Sequence, residues 1–151
     1  MYEFIVAVHN ILRWVVVILG IVAAVRSFWG WFGRKEWTST ERKIGMFFTT
    51  SVDIQLLVGI LLYFVFSSWG LRAILDQGMS FVMGTTEYRF FAIEHAFYMI
   101  LAVIFAHLGS ALPKRVDKDL SKFKRASIWF GLALLLILAG IPWGRPLLPG
   151  L

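Results

Sequence analysis

Residues 4–28, FIVAVHNILRWVVVILGIVAAVRSF, decide the fold. Their only ionisable side chains are His9, Arg13 and Arg26, and a helix rising 1.5 Å per residue needs about 20 such residues to cross about 30 Å of hydrocarbon. Three further apolar stretches follow: Met46–Ser67, Phe90–Leu112 and Ala126–Trp143. With 59% hydrophobic residues, this composition excludes an ordinary soluble core. The first stretch lacks a preceding basic segment and a following small-residue cleavage pattern, so it is expected to remain in the mature chain.

A backbone in lipid must satisfy its own hydrogen bonds, so four apolar segments joined by short connections predict an all-α fold. The expected architecture is an integral membrane four-helix up-and-down transmembrane bundle. Residues 1–151 form a single transmembrane domain, with helices at about 4–28, 46–67, 90–112 and 126–143. No low-complexity tract or internal repeat suggests a second domain.

Eleven of the 15 Lys and Arg residues fall in two connections. Arg26, Arg34, Lys35, Arg42 and Lys43 follow the first span; Lys114, Arg115, Lys118, Lys122, Lys124 and Arg125 follow the third. By the positive-inside rule both termini and the loop between spans 2 and 3 lie outside the cytoplasm. These cations sit beside Trp29, Trp31, Trp37 and Trp129, as at a membrane interface, and anionic lipid accounts for them better than nucleic acid does. The loop from Arg72 to Arg89, with Leu71, Ile74 and Leu75 at amphipathic spacing, predicts a short interfacial helix. The chain has no cysteine, which excludes disulfides, thiolate sites and covalent haem attachment.

Polar groups inside the spans carry the chemistry, because an ionisable side chain in hydrocarbon costs several kcal/mol unless it finds a partner. They are His9, Arg13, Asp53, Gln55, Glu94, His95 and His107. His9 and His95 lie on spans running in the same direction, each about five residues, or about 8 Å, below the outer boundary. Two imidazoles at one depth on facing helices suit the axial positions of one non-covalent b-type haem, with His9 and His95 as iron ligands. Arg13 lies one turn deeper on the face of His9 and is a candidate partner for Glu94 or for a haem propionate. The alternative is that the histidines sit at the interface while Arg13 and Glu94 join two helices without a cofactor.

His107 lies twelve residues beyond His95 and has no histidine at its own depth, so a second bis-His haem is not expected. It can instead pair with Asp53 as a proton relay or a quinone site, or each can satisfy itself separately. Gly20 and Gly59 are read as packing positions, either of which also leaves room for a flat macrocycle.

Four segments together carry a resemblance: His9-Asn10-Ile11-Leu12-Arg13-Trp14, Gln55-Leu56-Leu57-Val58-Gly59, Arg89-Phe90-Phe91-Ala92-Ile93-Glu94-His95 and Ile141-Pro142-Trp143. In order along nearly the whole chain, they resemble small four-helix bacterial integral membrane proteins commonly labelled cytochrome b. The resemblance implies a bacterial inner-membrane, haem-bearing electron-transfer protein, with His9 and His95 matching the ligands and a larger respiratory or photosynthetic redox complex as partner. No nucleophile–base pair, phosphate loop or acidic metal cluster is evident, so an electron carrier or accessory subunit is expected rather than an enzyme. A cofactor-free subunit packing against a large complex and a small proton-conducting module are the competing functional classes.

Overall fold

A computed structural model describes residues 1–146 and 148. Among these the chain is all helical, and three helical stretches are long and apolar enough to cross a membrane: Tyr2–Phe32, Ser39–Gln77 and Thr86–Arg115. The long helices are α1 (Tyr2–Phe32), α2 (Ser39–Leu61), α6 (His95–Ala111) and α7 (Asp119–Ala139). Short α3 (Leu71–Gln77), α4 (Met79–Gly84) and α5 (Thr86–Arg89) lie between α2 and α6. Helices α1 and α6 each pack against both α2 and α7, which makes α1 and α6 diagonal neighbours.

The fourth expected helix ends earlier than its apolar run. It starts at Asp119 and stops at Ala139, short of Trp143. Gly140 caps the end and Pro142, which has no amide hydrogen, prevents continuation. The apolar helical part, Ala126–Ala139, is about 14 residues, or about 21 Å of rise. The 72–89 loop also differs from one interfacial helix: it breaks at Gly78, whose φ of 85° favours glycine, and again at Thr85. Its short helices close over a small core of Ala73, Val82 and Ala92.

The basic end of the molecule is tightly filled. Thr38 caps α2 through a capping box with Glu41, and Arg26 of α1 donates to the same buried carboxylate. Lys35 lies over the ring of Trp29, and Lys124 over that of Trp31. Phe48 and Phe130 meet edge to face at 5.6 Å and occupy the middle of this half. Small residues let the helices close on those rings. A Cβ on Gly20 would meet Phe48 at 3.0 Å, and one on Gly109 would meet Phe130 at 2.5 Å. Gly20 is thus a packing position.

Two π-helical segments mark the opposite end: Leu62–Phe66, continuing α2, and Phe90–Glu94, leading into α6. Tyr63 in the first donates its hydroxyl to the Ala92 carbonyl in the second at 3.0 Å. Such bulges free backbone carbonyls and commonly accompany functional sites.

Gly109→Ala is expected to destabilise the protein by about 1–3 kcal/mol through overpacking against Phe130, whereas Gly84→Ala, facing open space, stays within about 0.5 kcal/mol. Glu41→Ala, which removes the cap partner and the Arg26 contact together, is expected to cost about 1–3 kcal/mol. Unfolding in detergent followed by circular dichroism measures all three.

Candidate functional site

The non-basic end is hollow. A cavity of about 340 Å³ lies between α1, α7 and the turn after α2, and a second of about 250 Å³ lies along the α2–α6 seam. His9, Gln55, Gly59, Tyr63, His95 and Met99 line both, so the two are lobes on either side of the histidines. The seam lobe is otherwise apolar, including Val52, Leu56, Ile60 and Val103. The other lobe carries Arg13, Trp69 and Arg145.

His9 comes from the first third of α1 and His95 from the first residue of α6, where the preceding π-segment sets its direction. Their ring centres are 6.2 Å apart, with ring planes at 63°. His95 Nδ1 is 2.7 Å from the Gly140 carbonyl oxygen. An oxygen there can only accept, so Nδ1 carries the proton and Nε2 keeps a lone pair in the neutral ring. Among the described residues His9 Nδ1 has no hydrogen-bond partner, although it is buried.

These observations bear on which group the site would accept. Among the described residues no three His, Cys, Asp or Glu side chains converge, so a bare metal ion would lack ligands. A haem brings four nitrogens and asks the protein for two. His9 and His95, the two imidazoles between the lobes, are the residues that would hold it. The His95–Gly140 bond suits that role, since a ligating histidine characteristically donates its other ring N–H to a carbonyl or carboxylate. The apolar seam lobe suits a macrocycle's hydrocarbon edge, and the arginine-lined lobe suits its carboxylates.

Of the other expected site residues, Arg13 is buried and lines the larger lobe. Glu94 does not line either lobe; its carboxylate is held by Arg89 Nε at 2.7 Å, five residues back across the π-segment. Asp53 and His107 do meet, Oδ1 to Nε2 at 2.8 Å, on the outer surface of the α2–α6 seam. Gly59 faces the cavities, where an added Cβ would approach His9 Cε1 at 3.5 Å.

Arg145 and Gly140 were not singled out from sequence. Arg145 lies 4.6 Å from the ring centre of Trp69 and 4.3 Å from that of Phe91, and donates to Glu87 at 2.6 Å. It thereby ties the segment after α7 to the short helices over the cavity. Its one sequence signal is an isolated cation just beyond Pro142-Trp143. Gln55 donates from Nε2 to the His9 carbonyl at 3.0 Å, while its buried Oε1 has no partner among the described residues.

Arg145→Ala is expected to raise amide hydrogen exchange across residues 71–89 about tenfold while leaving α2 unchanged, because two cation–π contacts and an ion pair are lost together. No family model, curated protein or solved structure matches the chain.

Proposed function

We propose that the chain is a b-type cytochrome-like membrane subunit carrying one haem between α1 and α6. In this reading its four long helices cross the bacterial inner membrane as an up-and-down bundle with both termini outside the cytoplasm, and it transfers electrons within a larger respiratory or photosynthetic complex. The observation that carries the proposal is the facing pair His9 and His95, 6.2 Å between ring centres, with the second nitrogen of His95 already committed to Gly140. The sequence resemblance to small bacterial proteins labelled cytochrome b points the same way.

Bound haem would supply one-electron chemistry; the protein's part is ligation, orientation and exclusion of water. His9 and His95 would hold its iron. The Gly140 carbonyl fixes the tautomer and the rotation of the His95 ring and makes the imidazole more electron-rich. Arg13, buried beside the larger lobe, and Arg145, at its mouth, would receive the propionates and set their direction away from the seam. Gly59 keeps the α2 wall low opposite His9. The filled half around Phe48 and Phe130 keeps water from approaching from the basic end.

Expression in a haem-sufficient host, purification in mild detergent and a dithionite-reduced minus air-oxidised spectrum test this directly. Wild type is expected to show the sharp α-band of a six-coordinate b-type haem at one haem per chain, and His9→Ala and His95→Ala each to lose it. A folded wild-type protein without the band refutes the proposal. Arg145→Gln is expected to keep the band and lower the midpoint potential by on the order of tens of millivolts, since removing a nearby cation favours the oxidised form.

A further inference from the structure

The turn that leads into His95 does what a regular turn would not. On an α-helix a side chain meets those three and four residues away. Here both Phe91, four residues before His95, and Phe90, five before it, lie against the imidazole, with ring centres 6.3 and 6.0 Å from its own. The widened turn of the π-segment Phe90–Glu94 brings the fifth residue round. With Nδ1 on the Gly140 carbonyl, the His95 ring is held by two aromatic rings and one oxygen.

A π-turn is rare, so the contacts made by this one bear on why it persists. Arg89 and Glu94 are five residues apart, a spacing that does not face on an α-helix, and their ion pair at 2.7 Å closes across the turn. Its side chains are 35% and 37% exposed, so it is the weaker holder. The other is the Tyr63 hydroxyl, which donates to the Ala92 carbonyl at 3.0 Å from outside the helix. Ala92 is 2% exposed, in the small core with Ala73 and Val82, so a lost donor there is not replaced by solvent. Tyr63 is itself fixed in place: the chain returns over its backbone at Gly70, where an added Cβ would run into the Tyr63 carbonyl.

We propose that Tyr63 is a positioning residue for His95: its hydroxyl latches the Phe90–Glu94 turn in the wide form, and the wide turn sets Phe90 and Phe91 against the imidazole so that Nδ1 stays on Gly140. Without the latch the turn tightens, Phe90 leaves the ring, and His95 gains room to swing away from the carbonyl. The ring of Tyr63 has a separate part as a wall of both lobes. Tyr63→Phe keeps that wall and removes the latch alone. The positioning stands on the chain itself; only its bearing on an iron ligand rests on the function proposed above.

The chain has three histidines, which makes the ring N–H of His95 readable by NMR after selective ¹⁵N-histidine labelling of the full, haem-free chain in detergent micelles. Its signal is assigned by its loss in His95→Ala, and His107, bonded to Asp53, serves as the internal control. In Tyr63→Phe the His95 Nδ1–H is expected to exchange with water about tenfold faster than in wild type and to change its shift as Phe90 leaves the ring, while His107 and the amides of α7 stay as in wild type. An unmoved His95 signal overturns the proposal. So does an equal change at His95, His107 and α7, which would mean general loosening. In the haem-loaded chain Tyr63→Phe is expected to keep one haem per chain and to shift the g-values of its low-temperature EPR spectrum, which follow the orientation of a ligating imidazole. The two proposals fail separately: a wild type without the α-band refutes the haem and leaves the latch to the His95 signal, and a band beside an unmoved His95 signal overturns the latch alone.

Discussion

In hydrocarbon a hydrogen-bonding atom that lacks a partner has no solvent to fall back on, and the bond between His95 Nδ1 and the Gly140 carbonyl oxygen is where this constraint shapes the molecule most. The last carbonyls of any helix have no acceptor role inside it. By stopping α7 at Ala139, the chain leaves one such carbonyl at the level of the first residue of α6. The imidazole takes it. One bond therefore closes a helix end, orients a ring and joins α6 to α7, and the direction in which His95 presents its free nitrogen depends on it.

Around that bond the molecule divides into two halves of different character. The basic end is packed by Phe48, Phe123 and Phe130 against glycine and alanine, with Glu41 gathering Thr38 and Arg26 where α1 meets α2. Substitutions there act on stability. The other end trades packing for space: π-turns, a glycine at position 59 and short helices surround two connected lobes. Rigid packing at one end allows the other to stay open without the helices collapsing on each other.

Much of this was legible in the sequence, for physical reasons. Apolar length reports membrane-compatible helices directly, and a fixed rise per residue makes relative depth computable, so the facing of His9 with His95 and of Asp53 with His107 could be read from residue counts. What escaped depends on atoms brought from elsewhere. Glu94 precedes His95 in the chain, which made it a candidate for the same site, but across the π-segment its carboxylate is held by Arg89, five residues back. Nothing local to Arg145 says that the chain folds back across Trp69 and Phe91. The premature end of α7 was written in Gly140 and Pro142, yet the apolar run continues past them and masks it.

The asymmetry of filling also has an electrical side. Where a protein spans a bilayer, the transmembrane voltage drops across whatever is dry and densely packed, and little of it across a hollow that admits water or ions. Each elementary charge carried through the full drop exchanges about 2.3 kcal/mol per 100 mV. Were these helices to span a bilayer, a charge reaching the His9–His95 level from the end that carries Arg13 and Arg145 would cross less dense packing than one arriving through the half filled by Phe48 and Phe130. In such an arrangement the filled half, not the hollow one, would carry most of the drop.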